Sequence, residues 1–173
     1  TPKTLRLAAD LMEHNINLSD IYTRALIRRS VEAARYWGVG LTGLQQKGRM
    51  VWSVLTLEDR AKVGYPGNDD ADLNNVVSNL DGVDVSILII EQRPGHSKVS
   101  WRAQPGIDVS GVALGFGGGG HPAAAGVEMD GTVEEITQKV LAATQTMLDN
   151  NGSDGRKDKP SLGGNAASRG REK

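Results

Sequence analysis

Asp81-Gly82-Val83-Asp84-Val85-Ser86-Ile87-Leu88-Ile89-Ile90-Glu91 is the stretch on which the fold turns. Val85, Ile87, Leu88, Ile89 and Ile90 form an apolar run too short for a buried helix and rich in β-branched residues, so Val83 to Glu91 reads as a central strand buried on both faces. Arg93-Pro94-Gly95-His96 follows as a turn, and Ser97 to Ala103 is the returning strand. Further on, Asp108 is positioned to cap a short helix through Phe116. Four glycines, Gly117 to Gly120, then lead into His121-Pro122 and the small residues Ala123 to Gly126. Val127 to Met129 completes a strand, and Thr132 caps a last helix with Val133, Ile136, Val140, Leu141 and Leu148 on its apolar face.

Upstream, Met50-Val51-Trp52-Ser53-Val54-Leu55 is rich in β-formers, so Val39–Gln46 and Arg49–Thr56 read as a hairpin across Lys47-Gly48. Leu57–Lys62 is a short helix, Gly64 to Asn68 a loop, and Asp70–Leu80 a helix burying Leu73, Val76, Val77 and Leu80. The first part of the chain is helical. Thr1-Pro2 caps and starts one helix ending near His14-Asn15, and Ser19 caps a second with Ile21, Tyr22, Ala25 and Leu26 on one face. A third helical pattern runs from Ser30 towards Trp37. The expected class is α+β: a mixed sheet of about five strands covered by helices, with a helical N-terminal segment over 1–37, a folded domain over 38–150 and a disordered basic tail over 151–173.

The 173 residues include no Cys, which excludes a disulfide framework and any Cys-ligated metal site and fits a reducing, cytoplasmic location. No apolar run is long enough for a bilayer, and no signal-peptide pattern opens the chain. The chain opens at Thr1 and is expected to be a piece of a longer protein. A net charge of −1 argues against coating nucleic acid through a broad positive surface. From Asn151 onward six bases face three acids, so the tail carries +3 and residues 1–150 carry −4. Anion binding by the folded part must then be local. The tail could add weak, salt-sensitive attraction to RNA; a merely solubilising end is the favoured expectation.

Two features carry chemistry. In Gly117-Gly118-Gly119-Gly120-His121-Pro122-Ala123-Ala124-Ala125-Gly126, successive glycines can expose backbone N–H groups around an anion, and small residues let a ligand approach. His121 can donate to phosphate or stack on a base. The plain alternative is a hinge before an ordinary strand. In Ser100-Trp101-Arg102, alternation sets Ser100 and Arg102 on one face with Trp101 opposite, and Arg is the natural planar donor for phosphate. The plain alternative there is an exposed Arg on an edge strand. Asp69, Asp70 and Asp72 read as solvated capping charge.

The Asp81–Glu91 stretch, Lys98-Val99-Ser100-Trp101-Arg102, Asp108-Val109-Ser110 and the glycine–His-Pro-Ala-Ala-Ala-Gly run, in this order and spacing, resemble the DHH-associated domain of DHH-family phosphoesterases. Within that family the chain is most similar to the nano-RNase and pAp-phosphatase branch, and its opening residues resemble the segment between the two domains. The resemblance implies that an N-terminal DHH domain, absent here, supplies Asp and His ligands to a metal pair, usually manganese, that activates water. It implies that this domain closes over substrate, with Arg102, Gly118, Gly119, Gly120 and His121 as binding residues and Ser100 as a weaker one. No catalytic or metal-binding residue is expected in this chain, since it has no Asp-His-His triplet and His14, His96 and His121 are scattered. The expected partners are a short RNA or nucleotide phosphate and the DHH domain of the same protein. A homodimeric parent, a standalone nucleotide- or RNA-end-binding module and part of a cyclic-dinucleotide phosphodiesterase stay open.

Overall fold

The computed structural model describes residues 1–14 and 16–152. Its centre is a six-stranded sheet in the order β1-β2-β3-β4-β6-β5, where β1 is Gln45–Lys47, β2 Met50–Leu55, β3 Val85–Arg93, β4 His96–Ala103, β5 Gly119–His121 and β6 Ala124–Asp130. β2 and β3 run parallel and every other pair is antiparallel, so the sheet is mixed. The parallel pair needs a crossover, which carries α4 (Leu57–Val63) and α5 (Leu73–Val77).

β3 is the buried centre that its apolar run predicts. Ile87 and Ile89 face one core with Val99 and Trp101 of β4, Val127 of β6, Val109 and Ala113 around α6 (Ser110–Gly115), and Ile136 and Val140 of α7 (Val133–Gly152). Leu88 and Ile90 face a second core with Val51 and Leu55 of β2, Tyr36 of α3 (Val31–Thr42), and Leu73 and Val77 of α5. The sheet is thus sandwiched between two helical layers, but unequally. The layer of α3, α4 and α5 packs on β2 and β3. On β4 and β6 only one face is buried: Val99, Trp101, Ala125 and Val127 point into the first core, while their sequence neighbours remain half-buried or exposed.

The α+β class and the N-terminal helices stand, and five local expectations are corrected. The sheet has six strands, close to the expected five or so, because the glycine run ends in the short edge strand β5; β6 begins at Ala124 rather than Val127. The strand expected from Val39 is helix through Thr42, entered from a Ser30 cap that accepts the Ala33 amide. Gly40 tolerates that helix at close range: a Cβ there would collide with Leu73. The helix expected over 70–80 shortens to α5, since Ala71 and Asp72 take left-handed backbone angles, and Leu80 stays partly exposed. Asn17, not Ser19, caps α2 (Leu18–Tyr22), which continues as a π turn over Thr23–Ile27. Asp108 accepts the Ser110 amide and hydroxyl in a turn ahead of α6, whose N-cap position is Val109.

α1 (Pro2–Glu13) is capped by Thr1 as expected but buries no residue, and Leu5, Met12, Tyr22, Leu26 and Ile27 are exposed along this segment. α7 runs through Gly152, two residues into the expected tail; the rest of that tail lies outside the described residues. Among the described residues no helix is long and apolar enough to cross a membrane.

Candidate functional site

Trp101 decides which way β4 faces. Its ring is fully buried against α7, where Nε1 donates to Thr144 Oγ1 at 2.9 Å, and that hydroxyl in turn donates to the Val140 carbonyl at 2.8 Å. With both polar atoms satisfied, this contact pins the strand from behind. Alternation then turns Lys98, Ser100 and Arg102 to the opposite side, the side that α3, α4 and α5 leave open beyond β3.

Strand pairing brings the separate motifs into rows. Ser86, Arg102, Ala124 and His121 stand opposite one another across β3, β4, β6 and β5. The next row is Leu88, Ser100, Gly126 and Gly119, and the one after is Ile90, Lys98 and Glu128. Members of a row share a face. Arg102 and His121 are therefore separated only by the methyl of Ala124, two strand spacings apart, about 10 Å between Cα atoms. Beside them Gly126 and Gly119 have no side chains. Five of the six residues expected to bind, Arg102, Ser100, Gly119, Gly120 and His121, lie on β4 and β5 around this low floor.

Gly118 has a different place. Its amide donates to the Ala113 carbonyl and that of Gly117 to Leu114, so these two amides close the end of α6. A Cβ on Gly118 would strike the Gly126 carbonyl and Val127, and one on Gly120, at φ +146°, would strike Ala124 and Ala125. Glycines here allow β5 to fold tightly onto β6. β5 is the sheet's edge, so its outer side offers backbone groups with no strand partner.

Charge is graded along this face. Arg102 donates to its own neighbour's carbonyl, Trp101 O, at 3.0 Å, and forms no ion pair among the described residues. The carboxylates lie at the other end of β4 and β6. Asp130 Oδ1 is 2.7 Å from His96 Nδ1, and Glu128 Oε2 is 3.5 Å from His96 Nε2. The His96 hydrogen bond, helped by its charge and that of Arg93, holds the Asp130 carboxyl below the usual carboxylate range. Because His96 faces these two acids through opposite ring nitrogens, the three cannot converge on one ion. Among the described residues no group of three His, Cys, Asp or Glu side chains could hold a metal. A manganese pair therefore does not fit the donor set of the described residues.

Of the other histidines, His14 sits at the end of α1 and His96 at the far end of β4, both apart from His121. Sequence reasoning missed Lys98, Ala124 and Gly126 as part of this surface. Parity along β4 could have signalled Lys98, which stands two and four residues before Ser100 and Arg102. Ala124 and Gly126 become visible only through strand register. Ser86 was also missed. It stands beside Arg102, and its hydroxyl donates to Asn74 Oδ1 at 3.5 Å where α5 closes over β3.

The DHHA1 domain profile matches residues 53–148, from β2 into α7, and takes in every residue of this surface. The "Bifunctional oligoribonuclease and PAP phosphatase NrnA" of Thermus thermophilus is 28% identical over 149 residues, which make up 86% of this chain and 44% of that protein. An exopolyphosphatase-related protein from Bacteroides fragilis shares the fold with a TM-score of 0.79 at 22% identity, over 88% of this chain and 45% of that one. The chain spans less than half the length of either protein.

Proposed function

Since this chain belongs to the DHHA1 domain family, we propose that it is the substrate-holding part of a phosphoesterase acting on short oligoribonucleotides, and on pAp, gripping them by a terminal phosphate. The observation that carries this reading is the row Arg102–Ala124–His121, in which two donors flank a floor of small residues and the guanidinium has no carboxylate partner among the described residues. A phosphate placed there would meet Arg102 from one side and His121 from the other, over the small Ala124 of β6. The Ser100 hydroxyl lies one row along, within reach of the sugar or the next phosphate oxygen. The name of the Thermus relative supports the choice of short RNA and pAp. In this reading the metal ions, manganese by family resemblance, belong to a DHH domain of the same protein that closes over the open half of the sheet.

Titrating the chain with a 5′-phosphorylated diribonucleotide, followed by NMR, tests the reading. Shifts are expected to saturate, to centre on Gly119–His121 and β4, and to vanish in Arg102→Ala. Equal saturation in that variant, with the same residues shifting, overturns it.

A further inference from the structure

The row geometry extends past the terminal-phosphate position. Lys98, Ser100 and Arg102 follow one another on the open face of β4, each two residues from the next. Lys98 and Arg102 are then about 13 Å apart at their Cα atoms, too far for a single phosphate to bridge both without both side chains folding inward. Between them the Ser100 hydroxyl has no hydrogen-bond partner among the described residues. Gly126, opposite Ser100, leaves the space above the strand low.

Lys98 is also uncommitted. It is half-buried and forms no ion pair within salt-bridge distance among the described residues. Of the acids around it, Glu128 opposite it on β6 is turned to His96, and Asp69, whose carboxyl Lys98 helps to hold down from longer range, is bonded by Tyr65. Asp130 is held by His96 at the end of the strand. Lys98 is thus a cation on the open face of β4 with no salt-bridge partner among the described residues, its charge felt at longer range by Asp69 of the Gly64–Asp72 segment. An ammonium on a flexible stem suits a phosphate whose position varies, as an internal phosphate of a short single strand would.

We propose that Lys98 is a length-determining residue that takes the second phosphate of a single-stranded oligonucleotide running along β4, with the first phosphate at Arg102 and His121. This rests on the phosphate-gripping reading above and adds the polarity of the track and a preference for ligands with at least two phosphates along one strand.

The test compares 5′-AMP with the 5′-phosphorylated dinucleotide pApA, by NMR titration of the wild-type chain, Lys98→Gln and Arg102→Ala, each first checked for an unchanged amide spectrum outside the site. Wild type is expected to bind pApA more tightly than AMP. Lys98→Gln is expected to lose about five- to tenfold in pApA affinity, the size of one charge-assisted contact, with a shallower salt dependence, and to bring pApA down to the level of AMP. Arg102→Ala is expected to weaken both ligands. If Lys98→Gln lowers both ligands equally, or neither, while Arg102→Ala still weakens both, the Lys98 inference is wrong and the phosphate grip stands. If Arg102→Ala weakens neither, or wild type binds neither, the grip itself is wrong and the inference falls with it.

Discussion

A Cβ placed on Gly118 would collide with the Gly126 carbonyl and with Val127, because β5 folds back onto β6 just where α6 ends. At Gly119, one residue on, the same added atom would meet nothing within 4 Å. The two positions look alike in the run of four glycines, yet they should respond differently. Gly118→Ala is expected to cost about 1–3 kcal/mol, as overpacking against backbone does, and to displace His121 from the row it shares with Arg102. Gly119→Ala should leave stability within about 0.5 kcal/mol. Chemical denaturation of both variants, with the His121 amide followed by NMR, distinguishes them; equal losses would mean that β5 is free to move off β6. That this run is packed closely was legible in its composition. Which glycine is needed for packing was not, since the colliding atoms belong to residues eight and nine positions further along the chain.

The segment from Gly64 to Asp72, which borders the open face, is held by a charge-assisted hydrogen bond. The Tyr65 hydroxyl donates to Asp69 Oδ1 at 2.6 Å, and the Tyr65 ring stacks on Tyr36 with centroids 4.9 Å apart. That bond is the main reason the Asp69 carboxyl lies below its ordinary range. The Tyr65 hydroxyl is pushed up, by burial first and by Asp69 next. Folding thus favours ionised Asp69 and protonated Tyr65. The contribution is present in full between about pH 4 and about pH 10, the ordinary values of the two groups. It is lost as pH falls through the depressed carboxyl value or rises towards the elevated phenol value. Tyr65→Phe is expected to lower stability by less than about 1 kcal/mol inside that window, the pair being partly exposed, and to flatten the acid limb. Denaturant midpoints measured across pH check this, and an unchanged acid limb would show that the bond does not form in solution. The same segment explains why the helix expected over 70–80 shortens to α5. Its apolar spacing is helical, but Asp69 and Asp70 accept the Ala71, Asp72 and Asn74 amides in local turns, a competition that side-chain type signals only weakly.

The sheet as a whole is covered on one face from β2 to β6 and on the other only over β2 and β3, which leaves Ser100, Arg102 and His121 on an open half-sheet, and no group of metal-gathering side chains occurs among the described residues. The chain alone, incubated with manganese and a short 5′-phosphorylated RNA, is therefore expected to leave the RNA intact on a gel. Turnover that His121→Ala abolishes would place a catalytic group in this chain. The apolar run of β3, the α+β class, the Trp101-opposed pair Ser100 and Arg102, and the family resemblance could all be read from the chain, because burial preference and side-chain alternation are local properties of residues and their neighbours. The hairpin misread at Val39 marks the limit of that locality: Gly38, Gly40 and Gly43 weaken the helical signal, and the helix persists because Gly40 lets Leu73 and Leu55 pack against it. The row that sets His121 opposite Ala124 and Arg102, and the open face itself, came only with the folded chain. Strand register and the reach of a helical layer arise from contacts between distant segments, and no window of sequence contains both partners of such a contact.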